Sequence, residues 1–122
     1  MRIKHFGKGA RLTIVSRRTG APALSIERLA SGQLRVGGAG SDGLRVQMDG
    51  SALDVRGMVR DAEGPAVQLR AKDQEIYADC VMEIALPGKQ PEKFMMATQT
   101  TFDRMMEATK ERRAAADSDP AP

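Results

Sequence analysis

Few side chains in this sequence combine types and spacing that could do chemistry. The 122 residues hold one histidine, His5, and one cysteine, Cys80. His5 stands near the start with no acidic residue before Glu27 to orient or charge it, so an exposed imidazole is expected. Cys80 alone forms neither an internal disulfide nor a zinc site. The pairs Asp61/Glu63 and Asp73/Glu75 have the spacing that puts two carboxylates on one face of an extended chain. Both fall in stretches rich in turn residues, and nothing beside them completes a metal shell. No nucleophile has an adjacent base. The sequence therefore predicts no catalytic residue, no metal site and no cofactor: a protein that is not an enzyme.

The phosphate-binding possibility lies in SGQLRVGGAGSDGLRVQMDG, residues 31–50, where Gly38, Gly40 and Gly43 spell G-x-G-x-x-G. A dinucleotide site needs that pattern between a strand and a helix, whose N-terminus faces the pyrophosphate. Here Leu34-Arg35-Val36 precedes it and Leu44-Arg45-Val46 follows, and no lysine stands after the last glycine. A chance match follows. A solenoid would need further copies of the triplet at a fixed period, so the expectation is a hairpin joined by residues 37–43.

Charge is distributed more tellingly. Arg2, Lys4, Lys8, Arg11, Arg17, Arg18, Arg28 and Arg35 face one acid, Glu27, within residues 1–35, although the whole chain carries only +3. Such a basic third attracts the phosphates of a nucleotide, an RNA or a membrane surface, or forms a solvated face.

The elements that must position these cations are short strands. Apolar residues alternate with polar ones around Leu12 and Ile14, Leu24 and Ile26, Leu34 and Val36, Leu44, Val46 and Met48, Leu53 and Val55, and Val67 and Leu69. Turn signals recur roughly every ten residues, which predicts a mainly β protein built as a small antiparallel barrel or sandwich. The longest run, residues 75–86, puts Ile76, Ala78, Cys80, Met82, Ile84 and Leu86 on one face of a single strand. Cys80 then points into the core and keeps its proton. Aromatic residues are scarce and methionines number eight, so flexible aliphatic side chains are expected to fill the core.

Past Pro87-Gly88 the period lengthens. Pro91-Glu92 suits a first helical turn, and Met95, Thr98, Phe102, Met105, Met106 and Thr109 form one stripe at helical spacing. The spacing predicts one amphipathic helix over about 91–113, closing a single domain of residues 1–113, with 114–122 as a disordered tail. The stripe either covers the end of the β structure or offers Met95, Phe102, Met105 and Met106 to a protein partner or a second copy. No apolar run reaches the roughly 20 residues of a membrane helix, and no secretory leader is evident, so a cytoplasmic location is expected.

Residues 23–36, ALSIERLASGQLRV, followed by Gly57-Met58-Val59 and Gly64-Pro65-Ala66-Val67-Gln68-Leu69, resemble the bacterial PilZ domain family over about half the chain. In that comparison Glu27 takes the place of the acid in the family's turn motif, Leu29 that of its serine, and Gly32 that of its glycine. Lys4-x-x-x-Lys8 lies where the family carries the R-x-x-x-R that grips cyclic di-GMP. The resemblance implies a six-stranded barrel closed by a C-terminal helix, a regulatory or adaptor role through a protein partner, and a nucleotide site drawn from Arg2, Lys4, Lys8, Arg11, Arg17, Arg18, Glu27 and Gly32. Lysine lacks the planar fork of arginine, so cyclic di-GMP binding is expected to be weak or lost. The alternatives are a basic β-barrel that binds RNA or single-stranded nucleic acid, with little aromatic surface to stack bases on, and a self-assembling structural protein of a phage or secretion apparatus.

Overall fold

The computed structural model describes residues 1–41 and 43–118, with side chains as far as Arg113. Ten strands and one helix follow in order: β1 (Arg2–Ile3), β2 (Arg11–Ser16), β3 (Pro22–Arg28), β4 (Leu34–Gly37), β5 (Arg45–Asp49), β6 (Ala52–Asp61), β7 (Gly64–Leu69), β8 (Gln74–Ile76), β9 (Cys80–Ala85), β10 (Glu92–Met96) and α1 (Gln99–Ser118). The strands form two antiparallel five-stranded sheets. One runs β10-β9-β2-β3-β4; in the other, β6 has β1 and β7 along one edge, β5 pairs with it as well, and β8 follows β7. The sheets do not close into a barrel. Of the two forms the alternation allows, this chain takes the sandwich.

Period-two patterning decides the faces. Leu12, Ile14, Leu24 and Ile26 point inward from β2 and β3 and are fully buried against Leu53, Val55, Val59, Val67 and Leu69 of the other sheet. Each such side chain removed from water is worth about 1.5–3 kcal/mol. Phe6, on the crossover from β1 to β2, is also fully buried. Methionine divides between core and surface: Met1 and Met96 are buried and Met48 and Met82 pack against the core, whereas Met95, Met105 and Met106 are exposed.

Four expectations are corrected. First, residues 37–43 do not join a hairpin, because β4 pairs with β3 and β5 with β6, in different sheets. This segment carries the chain across the sandwich. The N–H of Gly40 donates to the carbonyl of Ala23 at 2.8 Å, and its own carbonyl accepts from Arg60 N at 3.3 Å.

Second, residues 75–86 are not one strand. The inward alternation of Ile76, Ala78 and Cys80 persists while the chain changes sheets between β8 and β9. The N–H groups of Tyr77 and Ala78 both donate to the carbonyl of Ala66 at that corner.

Third, residues 92–96 are strand rather than helix. Pro87-Gly88 makes a turn, with Gly88 at φ +73°, and β10 returns along β9 with Lys93 opposite Glu83 and Phe94 opposite Met82. Five residues satisfy either period, and the open edge of β9 decides between them. Fourth, α1 starts at Gln99 and reaches Ser118. Ala114-Ala115-Ala116, the best helix formers, carry it past the expected end at 113. The rest of the expected tail, residues 119–122, lies outside the described residues.

Candidate functional site

The helix is fastened at its first turn. Thr98 is its N-cap: the Thr101 N–H donates to Thr98 Oγ1 at 3.2 Å. Asp79, in the corner between β8 and β9, accepts the Thr98 N–H at Oδ1 (3.2 Å) and the Thr101 hydroxyl at Oδ2 (3.1 Å). Its carbonyl accepts Arg17 N at 3.2 Å, which joins the corner to the turn after β2. Ser16, Arg17, Arg18, Ala78 and Asp79 line a shallow polar recess there. Thr98, four residues before Phe102, the first apolar residue of the helix, is the sequence signal for the true helix start. The alternation of residues 75–86 puts Asp79 on the outward face of a strand, and no local pattern links it to Thr98.

Beyond Thr101 the helix leaves the body. Every residue from Phe102 to Arg113 is exposed, and Phe102, Met105 and Met106 keep 51%, 47% and 46% of their surface accessible. The stripe therefore does not cover the end of the sandwich. Met95 is not part of it: this residue projects from the outer face of β10, with Arg17 Nη1 3.6 Å from its sulfur.

The cations expected to hold phosphate are spread over the molecule. Lys4 lies beside β1 and Lys8 on the crossover before β2, near Arg11 at the strand's first residue; Arg17 and Arg18 follow its last. Six extended residues separate these groups by about 20 Å. Arg11, Glu27 and Arg35 are in register across β2, β3 and β4, and Arg35 Nη2 lies 2.6 Å from Glu27 Oε2. Glu27 thus sits between two cations and lowers the local positive field. Gly32 occupies the turn after β3 at φ +89°. It shares that end with Arg11 and Glu27, and Arg28 binds its carbonyl at 3.4 Å. Arg2 lies on the other sheet, 2.7 Å from Asp49, and Arg18 pairs with Glu63. The structure gathers Lys8, Arg11, Glu27 and Gly32 at one end and does not bring Arg17, Arg18 or Arg2 to them.

Cys80 is buried with 1% of its surface accessible. Burial pushes its thiol up to about 11, with the charges of Asp79 and Asp61 adding to the shift. His5 is exposed and takes a left-handed φ of 63° in the turn after β1. Among the described residues no three His, Cys, Asp or Glu side chains are placed to hold a metal ion, and no helix is long and apolar enough to cross a membrane. No family model, curated protein or solved structure matches the chain.

Proposed function

We propose that this chain is a non-enzymatic, PilZ-like regulatory or adaptor domain that works in the cytoplasm through a protein docked on α1, with cyclic di-GMP binding weak or lost. One observation carries the reading: a helix held at its first turn and displaying Phe102, Met105 and Met106 to solvent. Methionine and phenylalanine on a free helix face are the side chains that partner grooves accept. The separation of Lys4 and Lys8 from Arg17 and Arg18 supports weak nucleotide binding, because a compact ligand meets only one of the two groups. RNA binding has less support. Glu27 interrupts the outer-face arginines, and the exposed Tyr77 is held by Glu75, whose carboxylate accepts its hydroxyl at 2.6 Å.

The test is site-specific photocrosslinking in the native host. A crosslinker at positions 102, 105 or 106 is expected to give discrete protein adducts. At 100 and 107, on the opposite side of the helix by the 100° step per residue, it is expected to give none. Equal labelling from both sides, or none from the stripe, would overturn the docking role.

A further inference from the structure

The docking reading leaves open what occupies the stripe. We infer that the occupant is a second copy of this chain, with two α1 helices packed antiparallel about a two-fold axis near Met105 and Met106. The inference rests on that reading and on the charge layout of the helix.

At 100° per residue, Phe102, Met105, Met106 and Thr109 fall within an arc of about 100°, a narrow seam of the kind that pairs two helices. Asp103 and Lys110 both lie on one flank of this seam, a turn to either side of its middle, and both are exposed. In an antiparallel pair related by a two-fold axis, each flank faces its own copy in reverse. Phe102 then meets the second copy's Thr109. Asp103 comes within about 3 Å of axial rise of the second copy's Lys110, well inside the reach of a lysine stem. The pairing is reciprocal, so one axis creates two Asp103–Lys110 pairs.

The rest of the helix agrees. Asp103 and Glu107 against Arg104 leave its first half with one net negative charge, and Lys110, Arg112 and Arg113 against Glu111 and Asp117 leave its second half with one net positive charge. Antiparallel packing sets unlike halves and opposed helix dipoles side by side, whereas parallel packing would align like with like. The seam is short, so the dimer belongs to the weak class of interfaces, below about 1,200 Å² of buried surface.

Sedimentation velocity of the purified full chain, from low micromolar to near-millimolar concentration, is the primary measurement. A monomer–dimer equilibrium is expected, abolished by Met106→Glu. Asp103→Lys alone and Lys110→Asp alone should each weaken the dimer by about two- to thirtyfold, since two exposed pairs are lost. The double variant Asp103→Lys/Lys110→Asp should recover it. A mixture of Phe102→Cys and Thr109→Cys chains should form a disulfide-linked heterodimer under mild oxidation, while Phe102→Cys alone should not. A chain that stays monomeric at every concentration, or a double variant that fails to recover, would overturn the antiparallel pair. If the crosslinker at 102 still captures a host protein in that case, docking on α1 stands and only the second copy as occupant falls. If the stripe is silent in both experiments, both readings fall.

Discussion

The carboxylate of Asp79 accepts the backbone N–H of Thr98 at 3.2 Å and so ties the entry of α1 to the corner where the chain changes sheets. With the Thr101 hydroxyl on its second oxygen, Asp79 supplies two side-chain bonds to the first turn. Each is worth about 0.5–1.5 kcal/mol. Asp79→Ala is predicted to open that turn about fivefold to a hundredfold more often. Amide hydrogen exchange at residues 99–104 would report it, while exchange in β2 and β3 should hold. Asp79→Asn keeps an acceptor for Thr98 and should cost less. Unchanged exchange in the alanine variant would show that the helix is fastened elsewhere.

Cys80 supplies a pH prediction. Burial first, then the charges of Asp79 and Asp61, raise its thiol from 9.0 to about 11. Between those values the unfolded chain releases a proton that the folded chain keeps. The folded state is therefore fully stable with respect to this group below pH 9, and that stability drains as pH climbs toward 11. Denaturant unfolding of wild type and Cys80→Ala across this window should show a steeper alkaline loss in wild type. Parallel slopes would mean the thiol ionises freely in the folded protein. The same burial predicts slow reaction with a thiol reagent in native conditions and fast reaction once unfolded.

Gly40 is predicted to be the least replaceable glycine. A Cβ there would stand 1.9 Å from the carbonyl oxygen of Arg60 and 2.9 Å from that of Ala23. Both obstacles are backbone, so the bridge between the sheets must move apart. Gly40→Ala is expected to cost about 3 kcal/mol or more. Gly37→Ala, with nothing within 4 Å of the new carbon, should stay within about 0.5 kcal/mol. Thermal unfolding of the two variants makes the comparison.

That glycine also shows where the sequence was legible. Inward residues such as Leu12, Ile26 and Leu53 declared themselves, because a strand with one buried face must alternate. Which strands pair is set by contacts far apart in the chain, so a Gly-rich hairpin and a Gly-rich crossover look alike in residues 37–43. The change from strand to helix after Pro87 was visible, but its position was not. Met95 fits the helical stripe with Thr98 and Phe102, whereas Phe94 and Met96 alternate as a strand would, and only pairing with β9 separates the two readings. The stripe residues Phe102, Met105 and Met106 were identified from spacing alone. Their exposure depends on the direction in which Asp79 and Thr98 launch α1, a relationship no local pattern encodes.

The last prediction concerns cyclic di-GMP. The PilZ-like reading places lysines, Lys4 and Lys8, where two arginine forks would hold its phosphates, and Leu29 where a serine would bond it. Losing two charge-assisted bonds of roughly 1.5–3 kcal/mol each weakens binding by about a hundredfold to tens of thousandfold. What attraction survives comes from Lys8 and Arg11 as one patch and Arg17 and Arg18 as another, about 20 Å away, with Lys4 beside β1 of the other sheet. Salt screens such fields over about 8 Å at physiological ionic strength. Calorimetric titration is therefore expected to show weak heat at low salt that vanishes at high salt. Lys4→Ala with Lys8→Ala should reduce the low-salt heat more than Arg17→Ala with Arg18→Ala, since Arg18 is already engaged by Glu63. Tight binding that ignores both salt and these substitutions would place a formed nucleotide pocket elsewhere on the sandwich and displace α1 as the functional element.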